Sequence, residues 1–210
     1  MYNLPYYKEQ DAEEVMQFIR EHPFAFLAGS DAANNPVATQ IPVFIDEKDG
    51  KIFLTGHIMR NTDHHKAFEQ NSSVLAVFTG PHTYVSATWY TKPVGSTWNY
   101  MSVHAKGTIR FGDTNELISI LKRLSLHYEN YNTESTTVFD NLPAEYTERM
   151  MKAIVPFEIE INDLQHVFKL SQDRDEKSYD NIATKLKEQG GDANKIGELM
   201  EKRKSKVFPS

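Results

Sequence analysis

Residues 78–111 read FTGPHTYVSATWYTKPVGSTWNYMSVHAKGTIRF, and this stretch decides the fold of the chain. It contains both tryptophans, Trp89 and Trp98, and its β-branched and aromatic residues predict strands on either side of the turn TKPVGS. Aromatic side chains with a polar tip are costly to bury without a hydrogen-bond partner, and they suit the rim of a site for a flat ligand. The residue types favour the core of a β-sheet, and the ligand-site interpretation stays open.

The motifs of this stretch and three other stretches of the chain occur in the same order as the motifs of a known family, which they resemble. YVSATWY (84–90) precedes STWNYMSVHAKG (96–107), and the other stretches are MYNLPYY with FIREHPFAFLA, then LTGHIMRN, then MMKAIVPFEIEI with FKLSQD. Together they resemble the PaiB-like family of FMN-binding negative transcriptional regulators, from about Met1 to Asp173. The resemblance implies a split β-barrel that binds FMN as its cofactor, and it implies a homodimer.

The composition excludes several classes of site. The 210 residues carry a formal net charge of -6 and no cysteine. A chain without cysteine has no disulfide, thiolate metal site, iron–sulfur cluster or cysteine nucleophile, and an acidic chain has no general attraction to nucleic acid or anionic membrane. No apolar run approaches the length of a membrane span, and the N-terminus has no signal-peptide pattern. We therefore expect a cytoplasmic protein without a membrane partner.

The periodicity elsewhere predicts a mainly β fold, of the β-barrel type, with peripheral helices and an antiparallel core of about six strands. Phe24 to Ala28 is predicted as a buried strand and Val37 to Ile45 as a second strand, with Asp49-Gly50 as the hairpin turn that follows. Ile154 to Ile161 and Val167 to Leu170 are predicted as separate strands. Helices are predicted to start at four places: Asp11, Thr62, Asp113 or Thr114, and Pro143.

The character of the sequence changes near residue 172. We predict an FMN-binding split-barrel domain with peripheral helices over residues 1–172 and a charged, α-helical C-terminal extension over 173–210. Helical spacing of apolar residues is broken at Gly190-Gly191 and resumes only weakly. The last dozen residues are interpreted as a solvated, frayed end.

The stretch GHIMRNTDHHKAFEQ (56–70) combines donor side chains with a predicted helix start. A helix N-terminus attracts anions, and arginine matches phosphate with two parallel hydrogen bonds. Spacing alone allows a solvated basic helix start equally well, whereas the resemblance assigns this stretch to the FMN phosphate through His57, Arg60, Asn61 and Lys66. A metal site of His57, His64 and His65 is disfavoured, because adjacent histidines on a helix point roughly a third of a turn apart.

The resemblance implies further contacts with the flavin. The second strand would line the ring edge with Thr39, Gln40 and Ile41, and Gln40 stands where the family often has histidine. The aromatic stretch would close the site, with the other subunit as one source of its residues: Ser86, Trp89, Trp98 and Asn99. The final motif adds Lys169, Ser171 and Gln172. This chain departs from the family pattern at Ala87 and Ser96, which replace prolines.

The sequence assigns no catalytic residue. It contains no nucleophile elbow, P-loop or Rossmann glycine pattern, so any redox chemistry would be that of the flavin. Three functions stay open: an FMN-binding PaiB-like regulator, an FMN-dependent oxidoreductase of the pyridoxamine-phosphate-oxidase or flavin-reductase type, and a haem-handling barrel protein. Because the chain lacks a helix-turn-helix pattern and has one basic run, at Lys202 to Lys206, we do not expect sequence-specific DNA binding.

Overall fold

The computed structural model describes residues 1–2 and 4–209 of the chain. These residues form seven β-strands and six α-helices, joined by loops and three short 3₁₀ turns. The strands are β1 (Phe24–Ser30), β2 (Pro36–Pro42), β3 (Phe44–Lys48), β4 (Lys51–Met59), β5 (Ser73–Val85), β6 (Thr97–Phe111) and β7 (Ile154–Lys169). The helices are α1 (Ala12–Glu21), α2 (Asp63–Gln70), α3 (Thr114–Tyr128), α4 (Ala144–Ala153), α5 (Glu176–Lys187) and α6 (Gly191–Val207). Asn3 and Ser210, which the predicted domains include, lie outside the described residues. No helix in the described ranges is both long and apolar enough to cross a bilayer.

All seven strands belong to one sheet, in the order β2-β1-β5-β6-β7-β4-β3. Antiparallel pairing joins β1 to β2 and to β5, and it joins β4 to β3 and to β7. In this register Phe26 lies opposite Gln40, and Gly56 lies opposite Phe157. The predicted fold class, mainly β with peripheral helices, is confirmed.

Two compact units are built from these elements. Unit 1 consists of Met1–His22, Phe78–His104 and Gln165–Ser210, and unit 2 consists of Pro23–Val77 and Ala105–Leu164. The predicted division of the chain between residues 172 and 173 stays a prediction.

The hairpin predicted at Asp49-Gly50 is present and joins β3 to β4. Asp49 has a φ of 53° and Gly50 a φ of 72°. Two consecutive residues with positive φ match the right-handed twist of the flanking strands, and glycine adopts that conformation without a steric penalty. The short connection therefore follows directly from this dipeptide.

The prediction of a buried strand over Phe24 to Ala28 is wrong for one of the two faces of β1. Ala25 and Leu27 are buried, whereas Phe24 is 61% exposed and Phe26 is 42% exposed. Successive side chains of a strand point to opposite faces of a sheet, so only one set of residues can face the core. The other face of β1 presents two phenylalanines to solvent.

The predicted helix starts are largely present. Thr62 Oγ1 accepts a hydrogen bond from the His65 backbone N–H (3.3 Å), which begins α2. At the start of α3, the Asp113 carboxylate accepts from the Glu116 N–H, and the Glu116 carboxylate accepts in return from the Asp113 N–H. This reciprocal pair satisfies two backbone donors that a helix N-terminus leaves open. Pro143 precedes α4 instead of occupying its first turn.

The structure joins two strands that the sequence separates. β7 runs without a break from Ile154 to Lys169. The residues between the two predicted strands are polar, but they continue the same extended backbone along the sheet. Polar residues in the middle of a long strand are tolerated where that part is only partly buried, as it is here.

The interpretation of the chain end as solvated and frayed is wrong, because α6 continues to Val207 and packs against α5 within unit 1. Ile182, Leu186 and Ile196 are fully buried. The Tyr179 hydroxyl donates a hydrogen bond to the backbone oxygen of Met200 (2.8 Å). Burying these apolar side chains stabilises α6 where helix propensity alone would not.

Candidate functional site

The corner of unit 2 between β4 and α2 presents the predicted phosphate ligands. The Arg60 backbone N–H donates to the Ala153 oxygen (2.8 Å), and Asn61 turns the chain with a φ of 63°. The Thr62 hydroxyl then closes the turn by donating to the Met59 oxygen (3.1 Å). With the backbone fixed in this way, the side chains of Arg60, Asn61 and Lys66 are exposed.

The charges at this corner leave two cations available. No carboxylate of the described residues lies within ion-pair distance of Arg60 or Lys66. The nearby Asp63 carboxylate accepts from the His64 backbone N–H (2.8 Å) and lies 3.0 Å from the His64 ring, and these contacts lower its pKa. One guanidinium and one ammonium group, both without a carboxylate partner in the described chain, form a favourable environment for a dianion at a helix N-terminus.

His57 lies on β4, three residues before Arg60. Burial lowers the pKa of His57, so the ring is uncharged near neutral pH. Its Nδ1 atom is buried and has no hydrogen-bond partner among the described residues. A buried polar atom without a partner costs free energy and commonly marks a position that a ligand or water satisfies.

The histidines of this corner do not form a metal site. Within the described ranges, no three His, Asp or Glu side chains converge as metal coordination requires. The His65 Nδ1 atom accepts from the Asn61 backbone N–H (3.3 Å), and burial lowers the pKa of His65. His65 is therefore used to hold the turn.

The ring-edge residues lie on β2, which forms one end of the sheet order. Its outer backbone groups consequently have no strand partner among the described residues. Ile41 is buried, and Gln40 is exposed opposite the exposed Phe26 of β1. α2 packs against both β1 and β2, with its Phe68 ring on the face of β1 that carries Gly29, whereas Phe26 and Gln40 lie on the opposite face.

The aromatic stretch of unit 1 forms a loop that is held by hydrogen bonds between residues close in sequence. Ser86 begins a single 3₁₀ turn, Ala87–Trp89, and the Ser96 hydroxyl accepts from the Ala87 N–H (3.0 Å). Trp98 stays 54% exposed, with its ring 6.2 Å from the exposed ring of Tyr84. Trp89 is half-buried, and its backbone oxygen accepts from Asn181 of α5 (3.2 Å).

The final motif of unit 1 is occupied by internal hydrogen bonds. The Ser171 hydroxyl donates to Asn99 Oδ1 (3.0 Å), and Asn99 Nδ2 lies 3.6 Å from the Met200 sulfur. The Gln172 side-chain amide bonds to the backbone through both of its polar atoms. Its oxygen accepts from the Leu170 N–H (2.6 Å), and its nitrogen donates to the Phe168 oxygen. Asn99 and Ser171 are fully buried. The Asn99 and Ser171 side chains hold the loop together and are not presented to solvent.

Lys169 is the member of this motif that is directed towards the aromatic loop. Its Nζ atom donates to the Thr97 hydroxyl and to the Trp98 backbone oxygen (2.8 Å for the latter). Burial lowers the pKa of Lys169. The Asn99–Ser171 contact and Lys169 together fix the backbone beside Trp98.

A group of residues that the sequence analysis does not single out surrounds Lys169. The Tyr7 ring lies 5.9 Å from Lys169 Nζ, and burial raises the pKa of Tyr7. Arg174 lies 4.8 Å over the Tyr90 ring, and both Arg174 Nε and the Tyr90 hydroxyl are buried without partners among the described residues. Tyr7 and Arg174 stand within or directly after the quoted motifs, which is the signal that points to them.

Comparisons with known proteins match most of this chain. A family model described as "Putative FMN-binding domain" matches residues 1–163. "Protease synthase and sporulation protein PAI 2" of Bacillus subtilis is 33% identical over 207 residues, covering 98% of this chain and 99% of that protein.

Two solved structures share the fold of this chain. The conserved hypothetical protein Rv2991 from Mycobacterium tuberculosis superposes with a TM-score of 0.56 at 13% identity, covering 80% of this chain and 90% of that one. The FAD and Heme binding protein from Mycobacterium smegmatis superposes with a TM-score of 0.52 at 15% identity, covering 77% of this chain and 72% of that one.

Proposed function

Since this chain belongs to the FMN-binding family whose model matches it, and is an FMN-binding protein of the PaiB-like kind, we propose that the β4–α2 corner of unit 2 holds the FMN phosphate. The observation that carries the proposal is the pair of exposed cations, Arg60 and Lys66, without carboxylate partners among the described residues. They flank the capped start of α2. A phosphate there gains charge-assisted hydrogen bonds from both side chains.

His57 and Asn61 complete the phosphate site in this proposal. The buried Nδ1 of His57 has a free position for a hydrogen bond, and Asn61 presents an amide at the same turn. FMN supplies the redox-active ring when it is bound, and the protein orients it. The chain's own task at this corner is to neutralise the phosphate and fix its position.

β2 is the proposed contact for the ring edge. Its outer backbone groups and the Gln40 amide supply donors and acceptors, with Thr39 and Ile41 on either side. The exposed Phe26 opposite Gln40 supplies an apolar surface beside them. Flat ligands are commonly held by such a combination of an apolar face and a few polar groups.

The residues of unit 1 divide into two roles in this proposal. Trp98, Lys169, Ser86 and Trp89 remain proposed flavin contacts. Asn99, Ser171 and Gln172 act as positioning residues, because their polar atoms bond to each other and to backbone groups inside unit 1. We also propose a homodimer, supported by the exposed Trp98 and Tyr84, since aromatic residues are enriched at interfaces.

The proposed biological role is regulation of transcription, which the resemblance to the PaiB-like family implies, without sequence-specific DNA contact by this chain. The ion pairs of the basic run at the chain end support the proposed lack of sequence-specific DNA contact. Arg203 and Lys206 pair with Glu9 and Glu14, and Lys204 pairs with Asp180. Cations that are neutralised within the protein contribute little to phosphate contacts.

The experiment that tests the proposed function is an absorption and fluorescence titration of the purified protein with FMN, riboflavin and FAD. We expect a flavin spectrum on binding and tighter binding of FMN than of riboflavin, which lacks the phosphate. Equal affinities for FMN and riboflavin would contradict the phosphate site. Addition of NAD(P)H to the complex separates the alternatives: rapid bleaching of the flavin would favour the oxidoreductase function.

A further inference from the structure

Consecutive residues of the aromatic loop contact the segment 174–181, which contains the start of α5. The Trp89 backbone oxygen accepts from the Asn181 side chain (3.2 Å), and the Arg174 guanidinium lies 4.8 Å from the centroid of the Tyr90 ring. The loop and the segment both belong to unit 1. Because the family model ends at residue 163, the match to the FMN-binding domain does not include this segment.

Thr91 makes the most extensive of these contacts, through both its backbone and its side chain. Its N–H donates to the Ser178 hydroxyl oxygen (2.9 Å), and its own hydroxyl donates to Asp175 Oδ2 (2.8 Å). The Ser178 hydroxyl donates to the same Asp175 oxygen (2.7 Å). Hydrogen bonds to a carboxylate are stronger than those between neutral groups. These bonds tie Thr91 to the first turn of α5.

Asp175 stays available as the acceptor at every pH near neutrality. Its Oδ1 atom accepts from the Ser178 backbone N–H (3.0 Å), which caps α5, while Oδ2 accepts from the Ser178 and Thr91 hydroxyls. These hydrogen bonds bring the pKa of Asp175 to about 2. The carboxylate is therefore ionised wherever the protein is assayed near neutral pH, and it keeps its hydrogen bond from Thr91.

α5 is a firm support for the loop because its other face is buried. Tyr179, Ile182 and Leu186 are fully buried. The Tyr179 hydroxyl donates to the backbone oxygen of Met200 in α6, which packs against α5. The apolar core of unit 1 consequently fixes α5 independently of the loop.

The part of the loop that follows Thr91 has little support of its own. Residues 92–96, all within the described chain, are exposed and form no helix or strand. A Cβ atom on Gly95 would have no neighbour within 4 Å among the described residues. Segments with few buried contacts open at a small cost in free energy. Order in the loop therefore depends on the contacts that Trp89, Tyr90 and Thr91 make with segment 174–181.

We propose that three residues form a clamp that positions the aromatic loop for the flavin: Asp175, Ser178 and Asn181. The inference rests on the proposed function, in which Trp89 of this loop contacts the flavin. A loop that is ordered before the ligand arrives lowers the entropy cost of binding, and a loop that is ordered only part of the time lowers the apparent affinity by that fraction. Release of the clamp should weaken FMN and riboflavin alike, because the loop contacts the ring and not the phosphate.

Thr91→Val is the decisive variant, because it removes the hydroxyl that bonds to Asp175 and keeps the size of the side chain. Titrations of the full-length protein should show FMN and riboflavin both binding roughly three- to tenfold more weakly, the effect of losing one hydrogen bond that orders the loop. Thr91→Ser restores the hydroxyl and should bind both flavins as wild type does. Thr184→Val is the matched control, because it removes an exposed hydroxyl of α5 outside the clamp, and it should change neither affinity.

Acrylamide quenching of Trp89 fluorescence measures the order of the loop in the absence of flavin. The chain has two tryptophans, so Trp98→Phe leaves Trp89 as the only reporter. In this background Thr91→Val should raise the rate of quenching, whereas Thr184→Val should not. Thermal unfolding checks that each variant is folded.

Trp89→Leu separates failure of the clamp from failure of the flavin contact. If Trp89→Leu weakens both flavins while Thr91→Val changes neither quenching nor affinity, the clamp is overturned and the flavin contact stands. If Trp89→Leu leaves both affinities unchanged, Trp89 does not contact the flavin, and the positioning role is overturned with it.

Two further results for Thr91→Val would also overturn the proposal. Faster quenching with unchanged flavin affinity would show that order in the loop does not contribute to binding. Weaker binding of FMN with unchanged binding of riboflavin would show that the variant acts on the phosphate and not on the ring.

Discussion

The buried ion-pair cluster that joins the two ends of the chain gives the sharpest prediction about stability. The Glu9 side chain is fully buried, and it bonds to Arg203 and to Lys206 (2.5 Å for the latter) across 194 and 197 residues of sequence. Arg203 also reaches Glu14 at 2.5 Å, and only 14% of its side chain is exposed. Removing one partner of a buried pair costs about 3–5 kcal/mol, and because Lys206 stays paired with Glu9 when Arg203 is removed, we expect the lower end of that range, about 3 kcal/mol.

Arg203→Ala should therefore lower the free energy of unfolding by that amount. For a protein of this length the melting temperature falls by about 2–4 °C per kcal/mol, so the variant should melt roughly 6–12 °C below wild type. Urea unfolding followed by circular dichroism measures the free energy. Lys202→Ala is the matched control, because Lys202 is exposed and has no ion-pair partner among the described residues; it should change stability by less than about 0.5 kcal/mol.

The same cluster predicts a pH dependence. Burial raises the pKa of Glu9, but hydrogen bonds from the Asp11 backbone, Lys206 and Arg203 outweigh it and bring the pKa to about 2. Because an unfolded glutamate titrates near pH 4.3, Glu9 stabilises the native state above that pH, and the contribution is lost as pH falls toward 2. The stability difference between wild type and Glu9→Gln should be constant from about pH 6 to 8 and shrink below about pH 4.5. Arg203→Ala with wild-type stability would refute the cluster as an anchor of α6.

Three further predictions concern packing, assembly and DNA. Gly80→Ala should destabilise unit 1 by roughly 1–3 kcal/mol in urea unfolding, because its Cβ would meet the Phe18 ring at 2.5 Å; unchanged stability would show that Phe18 moves aside freely. The protein should sediment as a homodimer at micromolar concentration, and Trp98→Lys should weaken that dimer, whereas a wild-type monomer would contradict the proposal. Titration against a promoter and a scrambled duplex near physiological salt should show at most weak, sequence-blind binding, and nanomolar preference for the promoter would restore direct repression.

Local chemistry is what the sequence predicts well. Asp49-Gly50 specifies its turn through two positive φ angles, and Thr62 and Asp113 specify helix starts through side-chain acceptors. Each of these features depends on residues within one turn of each other. The mainly β fold follows from the sum of many such signals.

Long-range contacts explain what the sequence does not predict. The run FAFLA has apolar residues at every position. It therefore lacks the alternation of apolar and polar residues that would indicate which side chains face solvent, and Phe24 and Phe26 do so. The last helix is held by Glu9, whose partner stands 194 residues later in the sequence.

The candidate site divides in the same way. The β4–α2 corner is contiguous in sequence, and its exposed cations are predictable from the order of residues. The internal role of Asn99 depends on Ser171, 72 residues away, and only the folded chain shows that contact.

The decisive measurement for the flavin site compares FMN with riboflavin on wild type and on Arg60→Ala. Losing one charge-assisted pair with the phosphate should weaken FMN binding by roughly 1.5–3 kcal/mol, about ten- to a hundredfold, and leave riboflavin binding unchanged. Lys177→Ala, which removes an exposed cation of α5 without an ion-pair partner in the described chain, should change neither affinity. If Arg60→Ala weakens FMN and riboflavin alike, or weakens neither, the phosphate does not lie at the β4–α2 corner.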